Sequence, residues 1–207
     1  MGVLESGFMW LLDFFFSLTR NYGLAIILLT VAIRVILVPL TVSQLKSMAM
    51  MQQLQPKLKE LEAKYKSQPE EYQKRVMELY KENKINPMGG CLPLLLQLPV
   101  LWALFSVLRK YEFTSGFLWI TDLTAPDPIY VLPILSGITT FLQQVQTSGG
   151  DQSQRAMLFI MPIFIGYLSL SFPAGLVLYW VVSNVFSIVQ QYLIKKHLPA
   201  AQEGGKS

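Results

Sequence analysis

A helix that crosses a hydrocarbon layer about 30 Å thick needs about 20 consecutive, mostly apolar residues, and five runs of this kind dominate the chain. They extend over residues 22–44, 87–108, 129–146, 156–171 and 175–194, separated by polar or Pro/Gly-rich breaks. The third and fourth are short, so tilt or local thinning of a bilayer is expected around them. Of the 207 residues, 52% are hydrophobic and 14% charged, whereas an ordinary soluble domain is about 25% charged. The reading is an all-α integral membrane protein, a bundle of five transmembrane helices.

In such a chain the position of the charge matters more than its formal net value of +4. Residues 45–86 carry nine Lys/Arg (Lys46, Lys57, Lys59, Lys64, Lys66, Lys74, Arg75, Lys81, Lys84), and residues 111–128 carry none. The positive-inside rule then places 45–86 in the cytoplasm and the loop 109–128 outside. Alternation puts 147–155 inside, the tight turn 172–174 outside and the tail 195–207 inside, with the N-terminus outside. Arg109 and Lys110 stand against the rule and are outvoted by the nine-to-zero asymmetry.

Within residues 1–21, the stretch Phe8 to Leu18 is too short to cross and is interrupted by Asp13, so it reads as an external interfacial amphipathic helix. The rival reading, a remnant of a signal segment, lacks a basic n-region and a small-residue cleavage site. Residues 45–86 change to a soluble helical period. Leu54, Leu58, Leu61 and Tyr65 share one face, and Tyr72, Val76, Leu79 and Asn83 share another. The break Ser67-Gln68-Pro69-Glu70 offers Ser67 as a cap, Pro69 for a first turn and Glu70 at capping-box spacing. This predicts a cytoplasmic antiparallel helical hairpin, either a self-contained pair or a mobile arm that meets incoming protein or a targeting partner.

Arg34 falls about midway along the first run, where a charge costs roughly 2.5 to 3.5 kcal/mol on insertion scales. The five runs contain no Asp, Glu or His and no second Lys or Arg, so water or an external carboxylate is the remaining partner. Thr30, Gln97, Gln143, Gln144, Ser169, Ser183, Asn184, Ser187 and Gln190 are polar residues able to line the same hydrated space. Taken singly, each also reads as an ordinary interhelical hydrogen bond, and Arg34 has a rival reading as a side chain snorkelling to a headgroup. Prolines at 39, 93, 99, 133 and 162 each remove a backbone hydrogen bond, which makes the bundle plastic.

Chemistry is constrained by scarcity. Cys91 is the single cysteine and His197 the single histidine, which rules out an internal disulfide and a His-based metal site or relay. Cys91 reads as a packing residue rather than a nucleophile. An intramembrane protease would need a Ser with a base, paired Asp or metal ligands. The sequence also lacks a P-loop, so any nucleotide use belongs to a partner. No catalytic residue, metal or cofactor is assigned.

Several separated motifs then stand in order: VPLTVSQ closing the Arg34 run, LQP at 54–56, KENKINPMGGCLPLLLQLPVLWALF at 81–105, LWITDL at 118–123 followed by DPIYVLPIL, and FPAGLVLYWVVSN at 172–184. Together, over Tyr22 to about Leu198, they resemble the YidC/Oxa membrane protein insertases, bacterial members most of all. The resemblance implies a non-enzymatic insertase and chaperone of the bacterial inner membrane. Its five-helix core would enclose a groove open to cytosol and lipid and closed toward the outside. Arg34 matches the family's groove arginine, and Thr30, Gln144 (or its neighbour Gln143) and Trp180 fall at other groove or client-contacting positions. Gln97, Ser183 and Asn184 complete the expected lining. The implied partners are newly made membrane proteins and lipids, with the Sec translocon, the ribosome and signal recognition components as further ones. Nucleic-acid specificity is not implied, and a monomer is expected to suffice. Relative to the Gram-negative form, no extra first span or large periplasmic domain is read here. Nor is the lipoprotein cysteine of many Gram-positive precursors, and the short tail after Lys196 argues against strong tail-mediated ribosome binding.

The expected mechanism is physical. A polar tail cannot cross hydrocarbon unaided, since each unsatisfied polar group there costs several kcal/mol. A wet half-groove shortens the dry path, Arg34 attracts carboxylates on the tail, and partition of the apolar segment into lipid supplies the free energy. A transporter or channel using the same wet cavity is the alternative. The lack of an evident internal repeat and of an intramembrane acid or His argues against it.

Overall fold

The computed structural model describes residues 2–83, 92–110, 113, 116–147 and 152–197. Among these residues the chain forms nine helices and no named strand: α1 (Val3–Thr19), α2 (Tyr22–Ile36), α3 (Val38–Gln53), α4 (Gln55–Lys64), α5 (Pro69–Glu82), α6 (Leu92–Lys110), α7 (Val131–Thr147), α8 (Gln152–Ser169) and α9 (Ala174–His197).

The stretch read as an interfacial helix lies within α1. Phe8 and Leu12, one turn apart, are buried where α1 packs on α2 and α6. Trp10, Phe14 and Leu18 form a second, exposed stripe on the same helix. Arg20 stops it in the left-handed region at φ 54, donating its N–H to the Phe16 carbonyl at 2.8 Å. Asn21 then starts α2 as its N-cap, its side-chain oxygen accepting the Leu24 N–H at 3.1 Å.

The run 22–44 is one apolar stretch in sequence and two helices in space. Pro39 has no N–H for the Val35 carbonyl, and its ring crowds that carbonyl, so α2 ends at Ile36 and α3 departs at 59°. Of the described helices, α9 alone contains a stretch, Ala174–Ile194, long and apolar enough to cross a membrane by itself. The bent pair α2 and α3 reaches that length together, and Gln97–Arg109 and Ala156–Ser169 are shorter apolar helices.

The helices α4 and α5 pack on each other across the Tyr65–Gln68 turn. Leu58, Leu61, Tyr65, Tyr72, Val76 and Leu79 are half-buried, and neither helix has a fully buried residue. Two local expectations are corrected. Gln68, not Ser67, precedes the first turn of α5, and its side chain makes no capping bond. Pro69 presets φ at that turn and removes one of the four free N–H groups that open a helix. Asn83 is exposed and ends α5 instead of extending its apolar face, its Nδ2 donating to the Leu79 carbonyl at 2.7 Å.

The centre of the molecule is α9, which packs on α2, α6 and α7, while α8 packs on α7. Buried Ala25, Ile26, Leu29, Leu104, Leu108, Leu176, Val177 and Tyr179 interlock around it. Close approach depends on glycine at two places. A Cβ on Gly137 of α7 would lie 3.2 Å from the Pro162 carbonyl of α8, and one on Gly23 would lie 2.1 Å from the Phe117 ring. The described part of the segment between α6 and α7 ties down the start of α9. Leu123 and Ala125 carbonyls accept the Gly175 and Ala174 N–H groups at 2.9 and 2.8 Å, satisfying two of the free donors that open α9. Asp127, fully enclosed, accepts the Trp119 indole at 3.0 Å and the Ile129 and Leu132 N–H groups at 3.2 and 2.7 Å.

Candidate functional site

The break at Leu37 puts Arg34 on the last turn of α2. Carbonyl groups at a helix C-terminus favour a cation by about 0.3–1 kcal/mol, which is less than the insertion cost, so the side chain needs further partners. Arg34 is half-buried, and both Nε, at 2.7 Å, and Nη2 donate to the Ser183 hydroxyl on α9. One turn before Ser183 on the same face, the buried Tyr179 hydroxyl accepts a hydrogen bond from Gln97 Nε2 of α6 at 2.7 Å. That hydroxyl also faces Ser183 and the Arg34 charge. Three helices thus meet in one polar chain, Gln97–Tyr179–Ser183–Arg34.

A second polar seam joins α9 to α7. Asn184 Nδ2 donates to the Thr139 and Thr140 hydroxyls at 3.1 and 3.0 Å, and the Trp180 indole donates to Thr140 at 3.1 Å. Nearby, the Ser136 and Ser169 hydroxyls are 2.9 Å apart across α7 and α8. Further along α9, Ser187, Gln190 and Gln191 are buried, as is Gln44 on α3. Gln44 Nε2, Gln190 Nε2 and Gln191 Oε1 have no hydrogen-bond partner among the described residues. A buried unsatisfied donor or acceptor costs about 1–3 kcal/mol, so these amides call for water or a bound polar chain.

The residues expected to line a groove therefore separate. Arg34, Ser183 and Gln97 belong to the first chain, and Trp180 and Asn184 to the second. Thr30 is not brought to Arg34: it is fully buried and its hydroxyl donates to the Ile26 carbonyl of its own helix at 2.6 Å. Gln144 is half-buried on α7. Tyr179, Thr139 and Thr140 escaped the sequence reading. Their signal was there, since Tyr179 is four residues before Ser183 and Thr139 and Thr140 are four before Gln143 and Gln144. Cys91 lies outside the described residues.

Near the end where α9 begins, Asp122 closes a small turn. Its carboxyl is held below the ordinary value, first by the Thr124 hydroxyl at 2.7 Å and then by the Thr124 backbone N–H at 2.8 Å.

Comparison with known proteins identifies the family. Residues 14–202 match the family described as the 60Kd inner membrane protein. A membrane protein insertase YidC of Geotalea daltonii is 48% identical over 193 residues, covering 91% of this chain and 36% of that protein. One of Caldanaerobacter subterraneus is 44% identical over 188 residues, covering 90% of this chain and 91% of that protein. The chain spans little more than a third of the Geotalea relative and nearly all of the Caldanaerobacter one. The fold superimposes on a crystal structure of an active YidC insertase with a TM-score of 0.78 and 32% identity, over 93% of this chain and 47% of that one. The chain belongs to the 60Kd inner membrane protein family, the YidC/Oxa family of non-enzymatic membrane insertases and chaperones.

Proposed function

We propose that this chain is a membrane protein insertase that draws the polar outer tail of a client through a hydrated, positively charged groove and releases the apolar segment into lipid. The observation that carries the reading is Arg34. It is a half-buried guanidinium in a chain whose apolar runs hold no acidic residue, and among the described residues its one hydrogen-bond acceptor is a neutral hydroxyl. A charge so poorly compensated attracts a carboxylate more strongly than it would in bulk water. The unpartnered amides of Gln44, Gln190 and Gln191 support a wet end to the same path. The family supports an insertase over an enzyme.

In this reading the five runs span the bacterial inner membrane, with the N-terminus outside, the α4–α5 hairpin and the C-terminus in the cytoplasm, and α1 at the outer interface. Exposed Met157, Phe159, Ile160, Ile163, Phe164 and Tyr167 on α8 then face lipid. The segment holding Asp127 closes the outer end. Clients are newly made membrane proteins. The Sec translocon, ribosome and signal recognition components are further partners, and a single copy suffices. The decisive experiment reconstitutes the protein alone into liposomes and scores protease protection of a single-span client with an acidic outer tail. Insertion by the native protein and its loss in Arg34→Ala is the expected result. Solute flux into empty proteoliposomes, without insertion, would turn the assignment to a transporter or channel.

A further inference from the structure

A guanidinium presents two edges able to grip a carboxylate, one formed by Nε and Nη2 and the other by Nη1 and Nη2. In this protein the first edge is taken: Nε and Nη2 of Arg34 converge on the Ser183 hydroxyl oxygen. Ser183 is itself buried, and behind it stands Tyr179, buried and tied by its hydroxyl to Gln97 of α6. Among the described residues no other acceptor meets Arg34, which leaves the Nη1/Nη2 edge open. A flexible side chain with one edge fixed by a buried anchor has a defined direction for the other. The rotamer entropy of fixing a long side chain is met before a client arrives.

We propose that Ser183, backed by Tyr179 and Gln97, is the positioning residue that turns the free Nη1/Nη2 edge of Arg34 toward client carboxylates. The inference rests on the insertase reading above and adds to it the source of preference for acidic tails. Without the Ser183 hydroxyl the charge remains but its direction is lost, so clients that need a two-point grip suffer and clients that do not are spared.

The test uses the full chain in liposomes and two clients differing in the tail alone, one with its Asp and Glu intact and one with them replaced by Asn and Gln. Ser183→Ala is expected to slow protection of the acidic tail about tenfold, the size of one charge-assisted hydrogen bond, and to leave the neutral tail within about twofold. Ser183→Thr, which keeps a hydroxyl at the same place, is expected to restore most of the rate. In an Arg34→Lys background, where there is no fork to orient, Ser183→Ala is expected to add less than about a twofold further loss. Equal slowing of both clients by Ser183→Ala would overturn the proposal in favour of a packing role. Failure of Ser183→Thr to rescue, or an undiminished effect in the Arg34→Lys background, would overturn it as well. Failure of the native protein to insert either client would instead count against the insertase reading.

Discussion

Arg34 is where the physics of a single residue is most exposed. A charge in hydrocarbon costs several times what the end of α2 returns, and the Ser183 hydroxyl is a neutral partner. If the oriented fork adds to the positive charge, Arg34→Lys, which keeps the charge without the fork, should slow protection of an acidic tail about tenfold and Arg34→Ala should slow it further, measured in proteoliposomes. Equal loss in both would assign the role to the planar fork of the guanidinium. The sequence marked Arg34, because no other charge occupies an apolar run. It did not mark Tyr179, since a tyrosine amid LVLYWVV reads as another bulky apolar side chain until Gln97 is seen to reach it.

At the scale of elements, Pro39 decides the shape of the first apolar run. With an alanine there the Val35 carbonyl regains an N–H, so Pro39→Ala is expected to lessen the 59° bend between α2 and α3. Spin labels at exposed Leu24 and Met50, on the far arms of α2 and α3, would report a longer, narrower separation by pulsed electron resonance; an unchanged distribution would show that tertiary packing alone holds the bend. The proline was legible in the sequence as a lost hydrogen bond, but the direction and size of the bend depend on what α2 and α3 pack against. The same division explains the α4–α5 turn. The helical break at residues 67–70 was evident, while the boundary at Gln68 rather than Ser67 goes with Pro69, whose preset φ and missing N–H suit the first helical turn.

For the molecule as a whole, the segment between α6 and α7 hangs on Asp127, which gathers a tryptophan indole and two backbone amides from three places along it. Asp127→Ala leaves the buried Leu132 N–H and two part-buried donors without that acceptor and is expected to cost about 1–3 kcal/mol, while Asp127→Asn keeps one oxygen and loses less. Thermal unfolding in detergent, followed by circular dichroism, measures both. Acid should loosen the neighbouring turn through Asp122. Its carboxyl is lowered in the folded protein, so its stabilising contribution is present above the unfolded value of about 3.9 and is lost as pH falls through the lower folded value. Exchange of the Thr124 amide should be insensitive to this ionisation between about pH 5 and 8 and gain an extra acceleration below about pH 4.

What the amino-acid order determined by itself was everything that depends on local composition. The helical class, the polar hairpin, the one charge within an apolar run and the succession of family motifs are properties of windows of a few to about 20 residues, and hydrophobic partition acts on such windows directly. What only the tertiary structure decided was which polar groups meet. Thr30 and Ser183 look alike in sequence, each a small hydroxyl in an apolar run, yet Thr30 turns to its own helix and Ser183 receives Arg34 from 149 residues away. Hydrogen bonds act over about 3 Å, so partners are set by how α2, α6, α7 and α9 pack, and that packing is a property of the whole chain.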